Sequence, residues 1–509
     1  MSDNQPLPVL DSISVPTHTT VVVVGAGLSG LACAYALEQA GIQVIVLEAA
    51  PQAGGWIQSF SAEAGRYLLE GGPNSFPSSS TAVVALAEAL GVPLVQASTQ
   101  AKHRFVALGT ALLTVPHSLW SAITTPLLPM AAKLRLLQEP FIPARSADAP
   151  EETVAQFVER RLGVLAHTRM VQPFLTGVYA GNSNELSATA VFPQLVEWEQ
   201  QYGSIVKGLL AKRFKKQTKT TNKKMPYTLL NCVGGMNTLI EHLVRALAGQ
   251  LFINTAVKGL MQTEQGWQVQ LVSGQLVSAT AVVIATPAFV ASQLVSGVSS
   301  QVATLLNTID YAPISVVYQA FQKQDLRQPK KGFGVLRCWE TPNPINTAWL
   351  GSLWSSSIFP DRAPKNECLV SHFFGGSQHR DVLLWSSARA SEEATAQSNW
   401  LFGMMPYTKP TFTRVFNYAN AIPQYTLGHT HRIKTLKIAL QQVAPTLQLA
   451  GNYLQGINLN SCVVSGLDAA KAIQQKLAQS TPTTVLQEEL LSPTQNRTIS
   501  TDSLMSVAL

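Results

Sequence analysis

The sequence predicts an α/β chain, α+β in its middle part, and three observations carry that expectation. A Val-rich strand over residues 21–24 turns on glycine into a helix and returns as a second strand that ends at Glu48. A second strand, glycine turn and helix stand near the other end, in "LQLAGNYLQGINLNSCVVSGLDAAKAIQQKL" (447–477). Between them, residues 251–285 and 312–420 alternate short apolar runs with glycine and proline, the pattern of strands and turns. A chain of 509 residues also exceeds one ordinary domain of about 100–200 residues.

The first element is a dinucleotide-binding βαβ unit of Rossmann type. Gly25, Gly27 and Gly30 give G-x-G-x-x-G directly after the strand. The first glycine allows the turn, the second lets backbone approach a pyrophosphate, and the third lets the helix pack close to the sheet. The helix then points its N-terminal N–H groups and positive dipole end at the phosphates. Glu48, about 20 residues on, stands where an acid accepts the hydrogen bonds of a ribose diol and repels a phosphorylated one. The following "AAPQAGG" adds Gly54 and Gly55 and resembles the flavoprotein form of the fingerprint, so FAD rather than NAD is expected. In the C-terminal element, Gly451 ends a strand and a helix is expected to begin near Ser461–Val463. In flavin oxidases that helix N-terminus faces the pyrimidine side of the flavin and stabilises negative charge there.

The FAD-binding domain is therefore expected from discontinuous segments, 18–94, 226–300 and 421–479, with a mixed-sheet substrate-binding domain over 301–420. Residues 95–204 read as an inserted, mostly helical, membrane-associated region, 205–225 as a basic loop, and 1–17 and 480–509 as flexible tails. Apolar residues make up 46% of the chain and charged ones only 13%, which favours a membrane surface, a greasy substrate, or both. The net charge of +7 is concentrated in "KGLLAKRFKKQTKTTNKK" (207–224), which holds eight Lys or Arg and no acid. Such a run suits a solvated loop or anionic headgroups. Without interleaved aromatic residues or a nucleic-acid motif, no nucleic-acid partner is expected. Five scattered cysteines without C-x-x-C read as free thiols in a reducing compartment, and no metal site is expected. His429 and His431 could share a strand face, but as a metal pair they lack a third ligand. The first twenty residues have Asp3 and Asp11 and no Lys or Arg, which does not read as a signal or transit peptide. "SLWSAITTPLLPMAAKLRLL" (118–137) is too interrupted to span a membrane but suits an interface.

Several stretches resemble the protoporphyrinogen oxidase family, in its plant and cyanobacterial form. They are "AGGWIQSF" (53–60), "EGGPNSF" (70–76), "FLTGVYAGNSNELS" (174–187), "GGMNTL" (234–239), "GFGVL" (332–336), "SSSIFPDRAP" (355–364), "FFGGS" (373–377), "AIPQYTLGH" (421–429) and the Gly451 element. The resemblance implies oxidation of protoporphyrinogen IX to protoporphyrin IX with FAD and dioxygen, releasing hydrogen peroxide, in heme or chlorophyll biosynthesis. It implies hydride transfer to the flavin over about three two-electron rounds, needing proximity and orientation above all. By the same resemblance Arg104 binds a substrate propionate. Leu336, Leu353 and Phe373 sandwich the macrocycle, Gly177 leaves room at its reacting face, and Asn74 is a weaker substrate contact. Trp56, Gly72, Val257 and Val463 join the glycines and Glu48 as cofactor contacts. No residue stands out as a general base. Gln58 and Gly71 depart from relatives that carry Arg and an acid there. The resemblance also implies a peripheral membrane protein facing the cytoplasm, or a plastid or mitochondrial one, and is compatible with a homodimer. The rival readings are another amine-oxidase-like flavoenzyme, such as a carotenoid desaturase or polyamine oxidase, and a flavin-bound scaffold without activity.

Overall fold

The computed structural model describes residues 14–480 apart from 117–120, 122–123, 147, 218–226, 248–249, 329 and 341–347. Its first sheet has seven strands, in the order Leu251–Phe252, Val44–Leu47, His18–Val24, Leu276–Ile284, Gly266–Leu271 and Val257–Thr263, with Leu447–Leu449 beside Leu276–Ile284. The Leu276–Ile284 strand forks. Its first half pairs antiparallel with Gly266–Leu271, and Val282–Ile284 pairs parallel with Leu447–Leu449. Five parallel strands thus come from three distant parts of the chain.

Both faces of this sheet are covered, which explains the unbroken valine run. Val21, Val23, Val44 and Val46 pack beneath Leu28–Gln39, Asn237–Ala246 and Leu459–Ser480. Val22, Val24, Ile45 and Leu47 pack against Ala288–Val295, Ser300–Asn307 and His429–Val443. Each fully buried Val contributes roughly 1.5–3 kcal/mol. The five cysteines are free thiols, four of them buried.

The second sheet also has seven strands, in the order Phe412–Pro423, Tyr311–Gln322, Glu367–Gly375, Trp349–Leu353, Gly334–Arg337, Arg104–Leu108 and Ala111–Thr114. All its pairings are antiparallel except that of Gly334–Arg337 with Arg104–Leu108. The helical reading of residues 95–204 is corrected here. Its first part supplies two strands to this second sheet, joined by a two-residue turn in which Gly109 has φ +61°. The basic stretch is also not all loop. Residues Ile205–Gln217 are helical, since no proline or β-branched run interrupts them after Val206. The remainder, 218–226, lies outside the described residues.

His372 lies in the middle of the second sheet with no exposed surface, between Ser352 Oγ at 2.7 Å and Ser398 Oγ at 2.8 Å. Burial pushes its imidazole down to about 3. Burial, then Arg432, holds His429 at about 4. In the unfolded chain both titrate near about 6.5. Their folded values are depressed, so the stability they contribute is full above about pH 6.5 and is lost as the pH falls toward 4 and then 3. Each unit is worth about 1.4 kcal/mol, so a loss on the order of several kcal/mol is expected. Melting midpoints should therefore fall steeply below pH 6. The His372→Gln protein should show a shallower slope over that range, and an unchanged slope would contradict the assignment.

Candidate active site

Among the described residues no side chain caps the Leu28–Gln39 helix, and its first turn holds no acid. Its leading N–H groups are thus available to an anion. The three fingerprint glycines divide the work. A Cβ on Gly30 would lie 2.0 Å from the Gly25 carbonyl oxygen, and one on Gly25, whose φ is +103°, would lie 2.9 Å from that of Ala285. A Cβ on Gly27 meets nothing within 4 Å. Gly25 and Gly30 therefore set the packing, while Gly27 faces open space. Gly54 bridges to Gly27, its N–H donating to Ala26 O at 2.8 Å, so the two glycine segments form one cradle. A Cβ on Gly55 would come within 3.5 Å of Gly27 Cα.

Glu48 is fixed at the cradle's end. Its carboxylate accepts the N–H of Ala26 at 2.7 Å and of Ala50 at 2.8 Å, and each oxygen keeps a lone pair for a diol. Val257 starts the strand beside it, where Thr255 N–H donates to Glu48 O at 2.7 Å. The C-terminal helix begins at Leu459, earlier than expected, because Asn458 Oδ1 caps it by accepting the Ser461 N–H at 2.9 Å. Val463 is corrected as a cofactor contact: its side chain is fully buried in the core, and it lies past the first turn of the helix, where the Cys462 N–H already donates to Asn458 O, so its N–H is committed within the helix. Gly451 leads into this loop, and its N–H donates to Ser465 Oγ at 3.0 Å. These residues fit a dinucleotide bearing a pyrophosphate.

The substrate candidates come from four neighbouring strands. Gly334 pairs with Arg104 and with Leu353, Leu353 pairs with Ser371, and Gly351 pairs with Phe373. Because side chains alternate along strands, this register puts Arg104, Leu336, Leu353 and Phe373 on one face. The Arg104 guanidinium lies 4.9 Å above the Phe333 ring and is solvent-exposed. Helix Gln172–Tyr179 packs on this face, so closely that a Cβ on Gly177 would lie 2.4 Å from Leu336 Cδ2. Phe174 and Val178 flank Gly177 on the helix and stay 45% and 38% exposed, a partly open apolar wall.

Between the cradle and this face stand Trp56, 41% exposed, and Tyr418, edge-on at 5.5 Å. Burial pushes the Tyr418 hydroxyl up to about 12. A Cβ on Gly72 would fall 2.0 Å from Trp56 O. One on Gly71 would fall 2.8 Å from both Phe60 and the Tyr418 hydroxyl, which explains why no acid stands there. Gln58 O accepts the Gly71 N–H at 2.7 Å. Asn74 is engaged internally. Its Oδ1 accepts from Tyr318 Oη at 3.2 Å, its Nδ2 donates to Gly72 O at 3.3 Å, and its carbonyl accepts from Asn231 at 2.8 Å.

Sequence reasoning missed Phe174 and Val178, whose i, i+4 spacing around Gly177 was a usable signal. It also missed the buried Glu70–Arg362 pair beneath Asn74, which no spacing reveals. His429 is not on a strand: Gly428, with φ +79°, precedes it and it opens a helix. Among the described residues no group of three or more His, Cys, Asp or Glu could hold a metal ion.

Residues 28–474 match the family model described as flavin containing amine oxidoreductase. The chain is 31% identical over 489 residues to protoporphyrinogen oxidase of Bos taurus, covering 89% of this chain and 98% of that one. It is 29% identical over 472 residues to the chloroplastic protoporphyrinogen oxidase of Nicotiana tabacum, covering 89% and 85%. Among solved structures, one from Exiguobacterium sp. 255-15 carrying a provisional protoporphyrinogen oxidase name aligns with TM-score 0.75 at 22% identity, over 91% of this chain and all of that one. Cyclohexylamine oxidase from Brevibacterium oxydans IH-35A aligns with TM-score 0.67 at 16% identity, over 90% and 99%, which speaks for the fold.

Proposed function

The chain belongs to the flavin containing amine oxidoreductase family, and within it we propose that it oxidises protoporphyrinogen IX to protoporphyrin IX with bound FAD. The observation that carries this reading is the single sheet face that gathers Arg104, Leu336, Leu353 and Phe373 beneath Gly177. An oily macrocycle with carboxylate arms calls for such an apolar wall with a cation at its rim.

Bound FAD supplies a two-electron acceptor for hydride. Leu28–Gln39 and the Gly27–Gly54 cradle hold its pyrophosphate, and Glu48 holds its ribose. Leu336, Leu353 and Phe373 orient the macrocycle and exclude water from its face. Gly177 lets helix Gln172–Tyr179 pack directly on Leu336, which fixes that wall of the site and leaves no gap between them for the ring, and Arg104 fixes a propionate at the rim. Among the described residues no candidate base stands on that face, and the chain's contribution is proximity and orientation. Dioxygen as the final acceptor belongs to the same proposal. Anaerobic mixing of the yellow protein with protoporphyrinogen IX should bleach the flavin, and air should then restore it as porphyrin fluorescence appears. A flavin that stays yellow would overturn the reading. Arg104→Ala should raise KM about tenfold or more, the share of a lost charge-assisted contact, with FAD content unchanged. A fall in kcat without change in KM would remove Arg104 from the binding role.

The inserted region is proposed to lie on a membrane surface. Among the described residues no helix is long and apolar enough to cross a membrane. On Met130–Leu137 and the turn after it, Met130, Leu134, Leu137 and Phe141 are 69%, 54%, 71% and 85% exposed. Their spacing of four, three and four residues makes one apolar stripe suited to an interface. Of the earlier part of this stretch, Leu119 and Trp120 lie outside the described residues, and Leu127 and Leu128 are buried, packing inside rather than facing outward. Leu134→Asp with Leu137→Asp should release the protein from anionic liposomes in flotation while FAD stays bound. Unchanged flotation would refute the contact. The relatives named chloroplastic or mitochondrial support a plastid or mitochondrial membrane for this chain.

A further inference from the structure

A groove of about 440 Å³ lies between helix His429–Val443 and the segment 189–193. That volume falls within the usual range for small-molecule sites, about 300–1,000 Å³. Its floor is apolar and buried: Tyr425, Ile433 and Leu454 are 1%, 6% and 7% exposed. Ile438 and Pro193 extend the apolar lining, and Lys434 and Lys437 stand exposed at its edge. The helix that carries them, "HTHRIKTLKIALQQV", has no acidic residue.

The floor also holds a polar group without a partner. His429 is 2% exposed, lines the cavity, and among the described residues neither ring nitrogen has a hydrogen-bond partner. The Tyr453 backbone lies near enough to favour the protonated ring but outside hydrogen-bond geometry. Its ring stacks on Tyr425 at 4.1 Å and 12°, which fixes its plane. Held neutral by burial, then by Arg432, the imidazole offers one donor and one acceptor. Leaving such a group unsatisfied costs about 1–3 kcal/mol, which a ligand would recover. Lys434 and Lys437 likewise make no ion pair or hydrogen bond among the described residues.

We propose that this groove is a second ligand site that takes the carboxylate of an amphipathic acid. The acid's head lies between His429 and the two lysines, and its apolar body lies along Ile433, Ile438, Leu454 and Pro193. The fit follows from the charge and its arrangement: a buried imidazole in the floor, cations at the rim of the same helix, and apolar lining beside them. Tyr425 also donates to the Asn452 carbonyl, next to Gly451, so occupancy is in contact with the loop assigned to the flavin. That last link rests on the cofactor reading above, whereas binding itself does not.

The test uses FAD-loaded full-length protein and dodecanoate below its micelle concentration, followed by calorimetry and by the ¹³C signal of a labelled carboxyl. Saturable binding of one dodecanoate per chain is expected, with no binding of dodecylamine. Lys434→Glu with Lys437→Glu should weaken it at least tenfold at unchanged FAD content. His429→Phe should weaken it similarly, and if that protein fails to fold, the lysine pair still decides the matter. Competition by protoporphyrin IX would support the site and name a porphyrin carboxylate as the source. Binding of dodecanoate without such competition would support it and name a fatty acid. Absence of saturable binding, equal binding of dodecylamine, or indifference to the lysine substitutions would overturn it and leave a water-filled groove. A shift in flavin absorbance on binding tests the link to the loop separately, so failure of the cofactor reading can be told from failure of the site.

Discussion

Gly466→Ala is expected to unfold much of the FAD domain's packing and to strip the cofactor, whereas Gly27→Ala should strip the cofactor and leave the fold intact. Helices Leu28–Gln39 and Leu459–Ser480 cross so closely that a Cβ on Gly466 would lie 2.2 Å from the Ser29 carbonyl oxygen. The neighbouring atom is backbone and has no rotamer to yield. Ser29 Oγ also donates to Cys462 O at 2.9 Å, which pins the crossing. The helices must move apart, at a cost of about 3 kcal/mol, the upper end for an overpacked core. That motion also shifts the two helix N-termini, Gly27 and Leu459, on which the cofactor reading depends. At Gly27 the added methyl meets no protein atom within 4 Å. It would fill the space assigned to the pyrophosphate instead. Apoprotein melting should therefore be nearly unchanged in Gly27→Ala and should fall by several degrees in Gly466→Ala. Flavin absorbance after gel filtration should be lost in both. Gly259→Ala, where the methyl also meets nothing and φ is not positive, should change neither. Retention of FAD by Gly27→Ala would refute the placement of the pyrophosphate.

The contrast between these glycines shows what the sequence could and could not convey. The fingerprint from Val21 to Glu48 was legible because its signals are local: a valine run buried on both faces, glycines at fixed spacing, and an acid at the strand's end. Nothing local marks Gly466 as a contact point, because its partner, Ser29, is more than 400 residues away. The second sheet was obscured for the same reason. Arg104–Leu108 pairs in parallel with Gly334–Arg337, and nothing local announces such a pairing. The turn at Gly109–Thr110 between two apolar runs was a local signal for a hairpin, inside a region read as mostly helical. Leu127 and Leu128 read as an apolar surface because burial depends on what the fold brings over them. The resemblance supplied Leu336, Leu353 and Phe373, and the register then placed them on one face.

Arg362→Met is expected to destabilise the protein by about 3–5 kcal/mol near neutral pH, the cost of leaving a buried charge without its counter-ion. Arg362 and Glu70 are 2% and 4% exposed, with Nη1 of the arginine 3.0 Å from Oε1 of the carboxylate but off hydrogen-bond geometry. Their attraction is therefore chiefly Coulombic. Ser59 Oγ at 2.6 Å, Asn231 Nδ2 at 3.0 Å and the Met236 N–H at 3.2 Å supply the carboxylate's hydrogen bonds. Burial already raises the Glu70 carboxyl, and Arg362 opposes that rise. Without the arginine, the folded value should climb further above the unfolded one. A raised folded value means that the stability of the variant is fullest at low pH and is lost as the pH rises through the new value. The deficit relative to the unsubstituted protein should thus be small near pH 5 and large near pH 8, the reverse of the trend set by His372. Glu70→Gln together with Arg362→Met removes both charges and should recover most of the loss. The functional consequence is local. Tyr318 Oη donates to the Glu70 carbonyl at 3.0 Å and also to Asn74, so the pair helps to hold the 70–74 segment that carries Gly71 and Gly72. If the pair acts by holding that segment, the double variant should keep its FAD and recover turnover along with its melting temperature. Recovery of stability without turnover would instead assign one of the two charges a direct part in the reaction.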